Sequence, residues 1–98
     1  MIVILKRAGS GPEMIETKGS IRILRELLGG EYETIPALSG AMVLCREEDS
    51  DLPDNCHFLG RHYRGDIIIA GRGKNDRATD IPKPLVKILP LALGGGKK

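Results

Sequence analysis

The stretch from Ser20 to Gly30 limits most strongly what this chain can fold into. It reads Ser20-Ile21-Arg22-Ile23-Leu24-Arg25-Glu26-Leu27-Leu28-Gly29-Gly30. Ile21, Leu24 and Leu28 fall on one helical face, Ile23 and Leu27 widen it, and Arg22, Arg25 and Glu26 lie opposite. The Ser20 hydroxyl can accept from an otherwise unpaired first-turn amide. Gly29 supplies the left-handed residue that commonly ends a helix, and Gly30 frees the chain to reverse. A helix of about two and a half turns does not persist alone in water. It needs a sheet to lie on.

The rest of the chain supplies strands. Ile2-Val3-Ile4-Leu5 is a continuous apolar run, suited to a central strand buried on both faces. Met14-Ile15-Glu16-Thr17 reads as a second strand hairpinned to it across the turn Ala8-Gly9-Ser10-Gly11-Pro12. Tyr32-Glu33-Thr34-Ile35 alternates like a half-buried strand, and Pro36 marks its end or edge. Ala41-Met42-Val43-Leu44-Cys45 and Asp66-Ile67-Ile68-Ile69-Ala70-Gly71 are buried strands, Leu52-Pro53-Asp54-Asn55 is a turn, and Cys56-His57-Phe58-Leu59-Gly60 reads as a short edge strand. Thr79-Asp80-Ile81-Pro82 reads as a helix start, capped by Asp80 or Thr79, for a terminal helix over Leu85–Leu89 stopped by Pro90. The expected fold is α+β: a small mixed or antiparallel sheet of roughly four to six strands. One main helix over about residues 20–28 and a short C-terminal helix pack on it. Residues 1–92 are expected to form one globular domain and residues 93–98 a disordered tail. Only Tyr32, Phe58 and Tyr63 are aromatic, so the core must be aliphatic.

Charge narrows the function classes. Fifteen Lys and Arg against thirteen Asp and Glu leave a net charge of +2, which is no strong footprint for duplex nucleic acid and no DNA mimic. No apolar run reaches the length of a membrane span. Met1-Ile2-Val3-Ile4-Leu5-Lys6-Arg7 is too short for a signal peptide and carries its charges on the wrong side, so a cytoplasmic location is expected. Cys45 and Cys56 do not make a disulfide scaffold.

The order helix, Leu28-Gly29-Gly30-Glu31-Tyr32-Glu33-Thr34-Ile35-Pro36, a strand ending in Cys45-Arg46-Glu47-Glu48, Leu52-Pro53-Asp54-Asn55, Gly65-Asp66-Ile67-Ile68-Ile69-Ala70-Gly71 and Thr79-Asp80-Ile81-Pro82 resembles a small family. That family occurs in phages, prophages and mobile elements of gut Firmicutes and is filed as a domain of unknown function. The likeness spans roughly residues 1 to 90. The double glycine, the alternating Tyr-Glu-Thr-Ile and the Pro are its most specific piece. The family usually carries Asn before the acidic pair where this chain has Arg46, so no polar role of that Asn transfers. The resemblance implies a phage or mobile-element setting and no catalytic residue.

Several motifs carry chemistry, each with a plainer alternative. Gly71-Arg72-Gly73-Lys74 follows a strand as a phosphate loop would, but it lacks the Walker spacing and the Ser or Thr after the Lys. The alternative is a solvated turn. Arg61-His62-Tyr63-Arg64 sets two guanidinium forks beside a ring able to stack on a base. If it lies near Arg72 and Lys74, the four cations form an anion site; otherwise it is a solvated loop with Tyr63 half buried. Cys45, Cys56, His57 and His62 are zinc-type ligands without zinc-type spacing, and no metal or other cofactor is expected. Glu47, Glu48, Asp49, Asp51 and Asp54 are the material of an acid–base or magnesium site, or only a solvated loop. Glu33 becomes half buried if Ile35 faces the helix, and then needs a partner such as Arg.

These features point to a non-enzymatic binding protein acting on a host defence system. It would either sequester a nucleotide or other phosphorylated small molecule or block a host protein. Arg61, Tyr63, Arg64, Arg72 and Lys74 are the expected ligand-binding residues. One alternative is a protein-interaction or self-assembly module whose exposed edge strand, the one bearing Pro36, pairs with a partner or makes a homodimer. Another is a small metal-dependent nucleotide hydrolase using the acidic tract.

Overall fold

The computed structural model describes residues 1–37, 40–46 and 51–86. Within these, the chain forms β1 (Ile2–Lys6), β2 (Pro12–Glu16), α1 (Ile21–Leu28), β3 (Tyr32–Pro36), β4 (Ala41–Arg46), β5 (Asp54–Phe58), β6 (Arg61–Arg64), β7 (Ile67–Arg72), β8 (Ala78–Thr79) and α2 (Lys83–Val86). The main sheet runs β2-β1-β7-β4-β3, with the short β8 also on β7. It is α+β, as expected, and every pairing among the described residues is antiparallel, so the mixed alternative drops out.

β1, β4 and β7 each lie between two neighbours and are covered on both faces, which is why they read as unbroken apolar runs. Val3, Leu5, Met42, Leu44, Ile68 and Ala70 point to one side and meet Leu24 and Leu28 of α1. Ile4, Val43, Cys45, Ile67 and Ile69 point to the other and meet Phe58, Tyr63 and Ile81. The helix is built as its sequence directs. Ser20 Oγ accepts from the Ile23 amide at 3.3 Å, and Gly29 turns left-handed at φ 86° while its N–H returns to the Arg25 carbonyl. Arg46 adds a stop, its Nη1 donating to the Gly29 carbonyl at 3.0 Å.

The second layer differs from expectation. Cys56–Gly60 is no edge of the main sheet. Cys56, His57 and Phe58 belong to β5, which with β6 forms a separate hairpin across the turn at Leu59-Gly60, and Arg61–Arg64 is a strand where a solvated loop was the plainer expectation. Asp54 and Asn55 start β5 instead of completing a turn. Asn55, at the bulge between Asp54 and Cys56, donates through Nδ2 to the carbonyls of Lys6 at 2.8 Å and Gly65 at 2.6 Å. That clamp ties the hairpin to the end of β1 and to the approach to β7. Ile35 lies with the hairpin layer, while Tyr32 packs with the helix.

The second helix also differs. Neither Thr79 nor Asp80 caps it. Thr79 pairs with Gly71 in β8, Asp80 Oδ1 accepts from the Ile2 amide at 2.6 Å, and the Ile81 amide donates to the Ile2 carbonyl at 2.9 Å. Residues 78–81 thus wedge between the start of β1 and the end of β7, carrying the chain from the helix layer (Ala78) to the hairpin layer (Ile81). Gly71 is required there for space: a Cβ would overlap the Asp80 carbonyl oxygen. α2 begins at Lys83; the expected run to Leu89, the Pro90 stop and the tail at 93–98 lie outside the described residues.

Candidate functional site

A sheet of five strands is about 19 Å wide between its outer strands. One helix, about 10–12 Å across with its side chains, cannot roof it. α1 settles over β1, β7 and β4, and the strip of sheet toward β3 stays open. The result is a groove of about 1070 Å³. Its floor is Tyr32, Thr34, Met42 and Leu44; one wall is Gly19, Ser20, Ile21, Leu24 and Arg25 at the start of α1; the other is the loop from Gly73 to Thr79.

The loop wall is a tight, ion-paired turn. The Gly73 amide donates to the Arg77 carbonyl at 2.7 Å and the Arg77 amide to the Lys74 carbonyl at 3.1 Å. Asn75 and Asp76 both take left-handed φ, 56° and 57°, a region that Asn and Asp visit more readily than most residues. Asp76 Oδ1 holds Arg72 Nε at 2.6 Å. The turn leads into β8, not a helix, so it is not the strand–loop–helix of a phosphate loop.

The charges of the groove are unevenly committed. Arg25 pairs with Glu31 at 3.0 Å and Arg72 with Asp76. No carboxylate among the described residues pairs with Lys74 or Arg77. Among the described residues, the groove therefore holds two cations without a carboxylate partner, beside the exposed Ile21 and the half-buried Tyr32 and Thr34, while Leu24, Met42 and Leu44 lie buried beneath. Burial raises the Tyr32 hydroxyl pKa, with Arg25 lowering and Glu31 raising it further, so Tyr32 stays a neutral donor at physiological pH.

The five expected ligand residues are split between two faces. Arg72 shares the helix side with Ile68 and Ala70, and Lys74 lines the groove beside it. Arg61, Tyr63 and Arg64 belong to the hairpin on the opposite face. There each arginine is held: Arg61 Nη2 by Glu33 at 3.3 Å, Arg64 Nη1 by Asp54 at 2.9 Å. Tyr63 is only 4% exposed, and the Arg61 guanidinium lies 5.5 Å from its ring centroid. The ring is therefore part of the core and offers no face for a base. The partner expected for Glu33 is an Arg, as the structure has it, but on the side away from the helix.

His57 and His62 stack at 4.5 Å between ring centroids on the hairpin, with His62 Nε2 3.5 Å from Asp54. Among the described residues, no group of three or more His, Cys, Asp or Glu is placed to hold a metal ion. Cys45 is buried, and burial, with Glu33 nearby, pushes its thiol pKa up to about 11. Glu47, Glu48 and Asp49 of the acidic tract lie outside the described residues.

The sequence reading missed Arg77, Tyr32, Thr34 and Ser20 as groove residues. The short loop between two glycine-spaced strands was the available signal for Arg77; nothing local marks Thr34. No helix among the described residues is long and apolar enough to cross a membrane. Compared with protein-family models, curated proteins and solved structures, the chain matches none.

Proposed function

We propose that this is a non-enzymatic binding protein that holds a nucleotide-class phosphorylated molecule in the groove between α1 and the Gly73–Thr79 loop. The observation that carries this reading is the pair Lys74 and Arg77, without carboxylate partners among the described residues, on one wall of a groove whose accessible floor is Tyr32 and Thr34 and whose other wall carries the exposed Ile21. Small-ligand sites combine a mostly apolar surface with a few placed polar groups. The cations would take the phosphate, and the exposed Ile21 with the half-buried Tyr32 and Thr34 would meet the base or sugar. In the phage or mobile-element setting that the family resemblance implies, such a protein acts in the cytoplasm by sequestering a signal of the host's defence. Of the residues first expected, this reading keeps Lys74, with Arg72 supporting the loop, and leaves Arg61, Tyr63 and Arg64 to the hairpin.

The test is a thermal-shift panel of nucleotides, cyclic dinucleotides and cyclic ADP-ribose-type molecules on the wild type, a Lys74→Ala/Arg77→Ala variant and a Arg61→Ala/Arg64→Ala variant. A ligand at about 100 times its dissociation constant stabilises the native state by about 2.7 kcal/mol, a rise of about 10 °C for a domain this small. The expected result is a shift lost in the groove variant and kept in the hairpin variant, with the ligand recovered intact. A shift lost only in the hairpin variant, or a flat panel, overturns the reading.

A further inference from the structure

β3 ends the main sheet, and among the described residues nothing pairs with its outer edge. Which of its groups face outward follows from its register. The Ala37 amide donates to the Ala41 carbonyl at 3.1 Å, and Ile35 and Glu33 sit opposite Val43 and Cys45. In an antiparallel ladder both polar groups of a residue point to the same neighbour, and alternate residues point oppositely. Glu33, Ile35 and Ala37 therefore bond inward to β4. Tyr32, Thr34 and Pro36 point outward, and Pro36 has no N–H to offer. The free edge carries two donors, on Tyr32 and Thr34, and three acceptors, on Tyr32, Thr34 and Pro36.

We infer that β3 is a self-recognition strand: two copies of this chain pair antiparallel about Thr34, continuing one sheet through both molecules. Centred on Thr34, the two Thr34 residues exchange both of their bonds, and each Tyr32 amide donates to the Pro36 carbonyl of the other copy. All four outward amides of the two edges are satisfied. Pro36, which blocks other registers, falls where only its carbonyl is used. Tyr32 then lies beside Pro36 of the second copy, and the half-buried Ile35 lies beside Glu33, itself held by Arg61.

The opposite edge of the sheet is less suited. β2 has the same alternation, with Pro12, Met14 and Glu16 outward, because the Thr17 amide bonds inward to the Met1 carbonyl. Pairing two β2 strands about Met14 sets Glu13 opposite Ile15 and Glu16 opposite Pro12, so each copy brings two carboxylates to the seam: Glu13, held by Arg7 at 2.6 Å, and Glu16, with no ion pair among the described residues. Charged edges are a common protection against such pairing. The β3 seam carries one carboxylate per copy, each with its own arginine.

A two-fold axis through the Thr34 pair is perpendicular to the sheet, so both helix layers lie on the same side. The two grooves then meet across their Thr34 floors as one trough, a consequence that rests on the groove being the binding site. The pairing itself does not.

Sedimentation velocity over a concentration series, with cross-linking, tests the pairing. The wild type should sediment as a dimer. Thr34→Pro removes a central outward amide from a position where the monomer does not use it, so this variant should keep the wild-type circular dichroism and sediment as a monomer. In a Cys45→Ala/Cys56→Ser background, which removes the thiol opposite residue 33 on β4, oxidising a mixture of Glu33→Cys and Ile35→Cys chains should give the mixed disulfide dimer. Neither variant alone should, because residues 33 and 35 face each other as a non-hydrogen-bonded pair about 4.5 Å apart only in this register. A wild type that stays monomeric at high concentration, a dimer unaffected by Thr34→Pro, or cross-linking of either cysteine variant with itself overturns the inference.

Discussion

The two faces of the sheet are closed by different means. The hairpin side is sealed by Phe58 and Tyr63, reinforced by Ile81, Leu85 and Val86. The helix side is closed by eight residues of α1, whose buried contributions are Leu24 and Leu28. Two of the three aromatic rings in the chain therefore go to the hairpin face, and the helix face is left with an opening. On the sealed face Arg61 and Arg64 are already ion-paired, with Glu33 and Asp54. The opening leaves Lys74 and Arg77 beside the half-buried Tyr32 and Thr34. The uneven distribution of large side chains separates the structural face from the candidate binding face.

The largest expected effect comes from breaking the seal. Phe58→Ala removes a buried ring and should cost about 3–5 kcal/mol in urea denaturation. Ile21→Ala, on the groove wall and 59% exposed in the native state, should change stability by less than about 0.5 kcal/mol. Equal effects of the two would erase the distinction between the faces. A smaller effect belongs to the helix cap: Ser20→Ala leaves the Ile23 amide without its acceptor and should cost about 1 kcal/mol, read as a lowered denaturation midpoint with an unchanged slope.

The smallest effect is one of pH. The Cys45 thiol, buried on the sealed face, has its pKa raised from 9.0 to about 11. An acid whose pKa is higher in the folded state stays protonated there while the unfolded chain ionises. Its contribution is fully present below pH 9 and is lost as pH rises through about 11. Thermal stability should fall over that window, and Cys45→Ala should flatten the slope. At pH 8 a thiol reagent should leave Cys45 unmodified until the protein unfolds.

What was legible in the sequence was local. Ser20, Gly29 and the spacing of Leu24 and Leu28 define α1 from within a dozen neighbours, and the runs Ile2–Leu5, Ala41–Cys45 and Ile67–Ala70 announce strands covered on both faces. β6 was illegible because Arg61-His62-Tyr63-Arg64 turns only Tyr63 inward, and one apolar residue in four shows no period. Asp80 misled because a carboxylate before a Pro suits a cap, whereas its partner is the amide of Ile2, at the far end of the chain. The groove has no motif. It arises from a mismatch between the width of a sheet and the width of a helix, and Arg77 becomes part of it only after β7 and β8 bring the loop to the β4 side.

The position of β7 has a consequence for how the molecule is made. Residues 67–72 fill the centre of the sheet, between a hairpin from the first sixteen residues and another from residues 32–46. On a ribosome the two hairpins emerge first, and β1 and β4 each wait with one side unpaired. Neither can use the other, since in the finished sheet both bind β7. Vectorial synthesis therefore delivers the keystone late, and the nascent chain stays open to proteases and to stray strand pairing until Arg72 has left the exit tunnel.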